Sequence, residues 1–220
     1  MYVMAKLLQN FEAFDLWEEE LCDIANFTQF VFGVFYEHHW QSQPPVEEVE
    51  ACIKEDLARY PNTHFYTLKT KDKRIFGSIT ACLWNGEPKL TLEREYNLNI
   101  RELIKARGLN PPQMWHLGRI AIDRNIINQD QMLKKTQGMF FKLLMTCAFS
   151  HVCTDPNNIM IAESEVQLWK VAKLLGISSE ILGEARLSLG TESFPVIDTG
   201  AGLQPFVNKH KHLLNYVLPK

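Results

Sequence analysis

The residue with the widest chemical reach in this sequence is His116, inside the run Trp115-His116-Leu117-Gly118-Arg119-Ile120-Ala121-Ile122-Asp123. An imidazole with an ordinary pKa of ~6.5 accepts a proton from an ammonium ion near neutral pH. A histidine beside a tryptophan in a buried strand also reads as a hydrogen-bonded core group. Three residues on, Arg119 carries a guanidinium that costs too much to bury alone. Its mate is either an acid of the chain, with Glu93, Glu95 and Asp123 as candidates, or the carboxylate of a substrate. Glu163 follows the short apolar run Ile159 to Ala162 and offers either a general base or a stabilising charge at the start of the next helix. Lys134, Lys135, Gln137 and Gly138 bring two cations and a glycine to the early part of a helical pattern. Unpaired N–H groups at a helix N-terminus bind phosphate; the bland alternative is a solvated first turn.

Other chemistries lack their signatures. The cysteines, Cys22, Cys52, Cys82, Cys147 and Cys153, are odd in number, widely spaced and mostly set in apolar segments, as reduced core thiols would be. None stands in a nucleophile motif with histidine support, which disfavours a covalent acyl-enzyme. His38 and His39 are adjacent rather than four apart, and no CxxC or HExxH occurs, so no metal is expected.

The elements that must position these side chains follow from periodicity and punctuation. Phe27, Phe30, Val31, Val34 and Phe35 recur on one face of a helix ending by Trp40, and Val46 to Tyr60 reads as a second helix with acids in its first turn. His64 to Lys69 and Arg74 to Trp84 form a hairpin around the turn Thr70 to Lys73, with Gly77 at a bulge. A short helix is expected within Leu92 to Gly108, then a strand from Trp115 to Ile122, a polar loop, and a long helix from Gln131 to Val152. Ile159 to Ala162 reads as a buried strand, Ser164 to Leu175 as a helix stopped by Gly176, and Ala185 to Leu189 and Phe194 to Asp198 as late strands. This order suits a single mixed sheet flanked by helices, an α/β (mixed α+β) domain spanning 1–220.

Composition narrows the partners. The 220 residues are 46% hydrophobic and 22% charged, ordinary for a soluble globular chain, and the net charge of -3 gives no basic footprint for nucleic acid. No apolar run approaches the roughly 20 residues of a membrane span. The N-terminus lacks a leader cleavage site, and the expected location is cytoplasmic.

The element order and the stretch Trp115 to Asp123 resemble the GNAT superfamily, in particular its autoinducer-synthase and N-acyl amino acid synthase branch. Leu92-Glu93-Arg94-Glu95-Tyr96, Lys173-Leu174-Leu175-Gly176-Ile177 and Leu182-Gly183 are similar to the same branch. His116 stands where that family has an acid, Ala172 where many acetyltransferases have a tyrosine, and Lys135-Thr136-Gln137-Gly138-Met139-Phe140 where the pyrophosphate loop lies. The resemblance implies a mostly antiparallel sheet with splayed central strands that clamp the pantetheine arm of an acyl thioester. It implies a donor, acyl-coenzyme A or acyl carrier protein, and no permanently bound cofactor. It places Ile120, Ala121, Ile122, Lys134, Lys135, Gln137, Gly138 and Met139 against that donor, with His116, Arg119 and Glu163 at the reaction. Acyl transfer to the amine of a small metabolite, an amino acid among the candidates, is the expected activity. A non-catalytic thioester or lipid sensor is the rival. The aromatics Phe27, Phe30, Phe32, Phe35, Tyr36 and Trp40 serve either as core or as the wall of a pocket for a long acyl chain.

Overall fold

The computed structural model describes residues 5–188 and 191–215. One open sheet runs through it. Strands β1 (Lys6–Asn10), β2 (Phe14–Glu18), β3 (Thr63–Thr70) and β4 (Ile75–Trp84) form an antiparallel meander that continues into β5 (Met114–Ile122). β6 (Ile159–Glu165) lies parallel to β5, and β9 (Thr191–Thr199) closes antiparallel on β6. The short β7 (Glu180–Ile181) and β8 (Arg186–Ser188) both pair with β9. The sheet is therefore mostly antiparallel, as expected, and among the described residues it has one parallel pair, β5 with β6, at its centre.

Helices cover both faces: α1 (Ile24–Trp40) and α2 (Val46–Arg59) on one, and α6 (Gln131–Val152) with α8 (Gly200–His210) on the other. The two-residue alternation of a strand sorts the side chains between them. Phe65 of β3 joins Phe27, Val31 and Phe32 under α1 and α2. Tyr66 and Leu68 of the same strand join Trp115, Leu117, Phe140 and Leu144 under α6. His116, between Trp115 and Leu117, accordingly faces the α1 and α2 side.

Several expectations are corrected. The region Leu92 to Gly108 holds two short helices, α3 (Thr91–Glu95) and α4 (Ile100–Ala106), because Asn97 turns the chain at a φ of 52°. The polar loop after β5 is the helix α5 (Arg124–Gln129), capped by Asp123, whose carboxylate accepts from the N–H groups of Asn125 and Ile126. β6 runs three residues past Ala162, and α7 (Val166–Leu174) starts later than expected and is followed, after its cap at Leu175, by Gly176 at a φ of 90°. The β1–β2 hairpin and α8 had no sequence reading. The expected strand to Leu189 ends in residues outside the described ones; Arg186–Ser188 is strand. The bulge expected at Gly77 is present, with Leu68 opposite Gly77 and Lys69 opposite Ile75.

Candidate active site at the parting of the central strands

The central pair of strands is built to come apart. β5 and β6 stay in register from Met114↔Ile159 to Leu117↔Ala162, and beyond that point both continue unpaired with each other. The cause lies on the other edge of β5. Ser78 of β4 faces Ala121 and Thr80 faces Gly118, so β5 carries an extra residue between them, and Arg119 takes a φ of 54°. A bulge of this kind bends the strand and sharpens its twist. Hydroxyls of β4 hold it: Ser78 Oγ donates to the Arg119 carbonyl at 2.8 Å, and Thr80 Oγ1 to the Gly118 carbonyl at 3.1 Å. The β6-facing edge of residues 118–122 therefore has no strand partner, and its backbone polar groups must be satisfied by solvent or a ligand.

Two cavities meet at this gap. A cleft of about 1460 Å³ opens on the side of α1 and α2. A smaller apolar cavity of about 70 Å³ lies behind, walled by Met145, Phe149, Trp169, Ala172 and Val196. Leu117, Gly118, Ile120, Phe141, Glu163 and Leu168 border both, and among them only Glu163 is ionisable. Glu163 Oε1 accepts a hydrogen bond from the Tyr96 hydroxyl at 3.1 Å.

Arg119 is paired within the protein. Its guanidinium donates to Asp56 Oδ1 of α2 at 3.0 Å from Nη2 and 3.3 Å from Nε, and lies 5.6 Å from the centre of the Phe32 ring. Asp56 also accepts from Thr28 Oγ1 of α1 at 2.8 Å. Burial alone would push the guanidinium pKa down, but the Asp56 carboxylate, with Cys52 and Glu55, holds it above its usual value. Two of the expected partners are engaged elsewhere: Glu93 accepts from the N–H groups of Leu90 and Ile100, and Asp123 caps α5. The bulge in β5 is thus tied to both helices over the cleft through one charged network.

His116 lines the cleft, but burial, with the positive charges of Arg59 and Arg119 nearby, pushes its pKa down to about 3. It is uncharged at neutral pH and holds an added proton poorly. His151 of α6 is the same kind of group, lowered to about 3 by burial and by His64, with its Nε2 2.6 Å from the Tyr66 hydroxyl. Both are neutral when folded and take a proton near pH 6.5 once unfolded. The unfolded state therefore binds more protons between pH 6.5 and 3, and stability falls as the pH drops through that window. From pH 7.5 to pH 5 the expected loss is about 2 kcal/mol per histidine. His151→Gln should remove one share, read as a smaller shift of the urea midpoint between those two pH values.

The expected phosphate site is placed differently. α6 begins at Gln131, and the Asp130 side chain accepts from the N–H groups of Met132 at 2.7 Å and Leu133 at 3.1 Å. Lys134 N–H already bonds the Asp130 carbonyl at 3.0 Å, so Lys134, Lys135, Gln137 and Gly138 lie inside the helix rather than at its N-terminus. Gln137 borders the cleft, as do Ile120, Ala121 and Ile122; Met139 packs against the core. Of the aromatics in the first helix, Phe27 and Phe32 are buried core, and the apolar cavity at the gap is walled from α6 and α7 instead.

The cleft has a strong electrical sign. Among the described residues eight carboxylates line it, from Glu37 to Glu165, against three guanidiniums, of which Arg119 is spent on Asp56 and Arg59 on Glu55 at 2.5 Å. A cleft of one sign concentrates ligands of the other, here cations. Sequence reasoning passed over Asp56 and met Tyr96 only as the last residue of the Leu92 to Tyr96 stretch, with no role assigned. Asp56 was detectable in principle, since Val49, Cys52 and Asp56 share one stripe of α2 and place an acid on its buried face.

No protein-family model and no curated protein matches this sequence. Solved structures do. FeeM, an N-acyl amino acid synthase from uncultured soil microbes, aligns with a TM-score of 0.59 and 10% identity over 90% of this chain and 96% of its own. TofI, determined with an inhibitor and MTA, aligns with a TM-score of 0.57 and 14% identity over 85% of this chain and 90% of its own. BjaI, a coenzyme-A-dependent acyl-homoserine lactone synthase determined with SAM and isopentyl-CoA, gives 0.52 and 18% over 90% and 88%. At these identities the likeness is one of fold.

Proposed function

We propose, with the GNAT fold as premise, that the chain is one N-acyltransferase domain moving an acyl group from a thioester to the amine of a small metabolite. Coenzyme A or an acyl carrier protein would carry the acyl group. The observation that supports this most is the meeting of an acidic cleft and an apolar cavity at the unpaired edge of β5, with Glu163 between them. The activities named for FeeM and BjaI, and the isopentyl-CoA of the latter, are in keeping with it.

In this reading the pantetheine arm lies in the gap, bonded by the free backbone edge near Ile120, Ala121 and Ile122, and the acyl tail enters the cavity behind. The acceptor enters the acidic cleft as an ammonium ion. Glu163 takes its first proton, and the nitrogen lone pair attacks the thioester carbon. As the C–N bond forms, the carbonyl pair moves to oxygen, where backbone N–H groups of 119–121 stabilise the oxyanion. Collapse breaks the C–S bond; the sulfur leaves with the bonding pair and takes the second amine proton, while Glu163 releases the first to solvent. His116 is not assigned the base, because it borders the cleft but not the apolar cavity, and the cations of Arg59 and Arg119 beside it oppose the approach of an ammonium ion.

Cavity size sets the tail. A dry cavity of ~150 Å³ admits a six-carbon ring, so the volume here suits about three carbons beyond the carbonyl. Butanoyl-coenzyme A should release thiol faster than dodecanoyl-coenzyme A when mixed with a pool of amino acids, ethanolamine and putrescine, and mass spectrometry should find the matching amide. Met145→Ala, which enlarges the cavity, should raise the hexanoyl over butanoyl preference roughly 10-fold. Thioesters that bind but release no thiol above background would replace this reading with that of a sensor.

A further inference from the structure

The segment between β4 and β5 is more elaborate than a connection requires, and its construction converges on Tyr96. Trp84 Nε1 donates to the Pro88 carbonyl at 3.0 Å as the chain leaves β4. Glu93, only 6% exposed, accepts from the N–H groups of Leu90 at 2.9 Å and Ile100 at 3.1 Å, which locks α3 to α4. Leu92, Ile100 and Ile104 pack with Ile159 and Ile161 of β6 and Ile197 of β9, so the segment sits on the strand that carries Glu163. The Tyr96 N–H bonds the Leu92 carbonyl at 3.0 Å, and the backbone turns at the next residue. The Arg186 guanidinium lies 5.7 Å from the centre of the Tyr96 ring and donates to the Glu95 carbonyl. A rigid ring, 6% exposed, is thereby aimed with its hydroxyl 3.1 Å from Glu163 Oε1.

We propose that Tyr96 is a positioning residue for the base of acyl transfer: its hydroxyl fixes Glu163 in one rotamer at the junction of the two cavities and favours the ionised carboxylate that receives the ammonium proton. This rests on the assignment of Glu163 as that base. Burial, and next the Glu163 carboxylate, push the Tyr96 phenol above its ordinary range, so it keeps its proton and remains a donor across the working pH. By reciprocity the same contact favours the charged form of the carboxylate. Tyr96 borders neither the cleft nor the apolar cavity, which places its effect on Glu163 rather than on the substrate.

The test compares wild type, Tyr96→Phe, Glu163→Gln and the double variant, with butanoyl-coenzyme A as donor and the same amine pool as acceptor. Tyr96→Phe keeps the ring and its packing, so its melting temperature should stay close to that of wild type. Its kcat should fall roughly 10-fold with the donor KM unchanged, and the acid limb of its pH–rate profile should move up by about one unit. The double variant should be no slower than Glu163→Gln alone, since the hydroxyl acts only through the carboxylate. A Tyr96→Phe profile that overlays wild type, or a double variant slower by a further 10-fold, overturns the positioning role while leaving the base in place. If Glu163→Gln itself transfers at the wild-type rate, both assignments fall together.

Discussion

Glu163→Gln is expected to lower kcat for amide formation by about 100- to 10,000-fold, the usual contribution of a well-placed general base, with the donor KM and the melting temperature close to wild type. The expectation comes from position. Glu163 is the ionisable side chain that borders both the cleft suited to an ammonium ion and the cavity suited to an acyl tail. It stands on β6 immediately past the last residue paired with β5, at the level where a thioester in the gap would present its carbonyl. Glutamine keeps the size and can still accept from Tyr96, but it cannot take a proton. A variant within twofold of wild type would show that the amine is deprotonated elsewhere.

Asp56→Ala is expected to destabilise the protein by about 3 kcal/mol, because it strands a mostly buried guanidinium. The Arg119 and Asp56 side chains are 22% and 6% exposed, so solvent screens the pair only weakly. Glu55, 3.9 Å from Nη2, remains as a poorer partner and sets the loss at the lower end of the range for a broken buried pair. In a chain of this length the loss amounts to roughly 10 °C in melting temperature. Activity should fall as well, since Arg119 sits on the bulge that opens the gap and Asp56 ties it to α1 and α2. A loss below about 1 kcal/mol by urea titration would reduce the pair to an ordinary surface contact.

Local signals carried most of the fold. The 3.6-residue recurrence in α1 and α6, the hairpin around Thr70 to Lys73 and the strand at Trp115 all stand where periodicity and turn residues put them. α8 was hidden by its own composition: Gly200, Gly202 and Pro205 oppose a helix locally, and tertiary packing of Leu203, Phe206 and Val207 against the α6 face outweighs that. The β1–β2 hairpin was hidden because Asp15 breaks the apolar run, and its carboxylate is satisfied only in the fold, by Lys71 at 2.7 Å and Lys73 at 3.0 Å.

The site was legible in part. Residue type and setting drew attention to His116, Arg119 and Glu163, and all three line one cleft. What each does depends on contacts that sequence does not encode locally. Arg119 meets Asp56 across 63 positions and Glu163 meets Tyr96 across 67. The low pKa of His116 comes from burial and two cations that the fold brings to it. The start of α6 stands at Gln131 where the sequence put it; what the sequence did not show is that the Asp130 cap already satisfies the N–H groups of Met132 and Leu133, with Lys134 to Gly138 lying inside the helix.

The central claim is that the donor occupies the gap between β5 and β6. A crystal structure with S-butyl-coenzyme A, a thioether that cannot transfer its chain, tests it most directly. The account predicts the pantetheine arm between residues 118–122 and 163–165, bonded to the free edge of β5, with the butyl carbons against Met145. The analogue bound elsewhere, with the gap unoccupied, would contradict it.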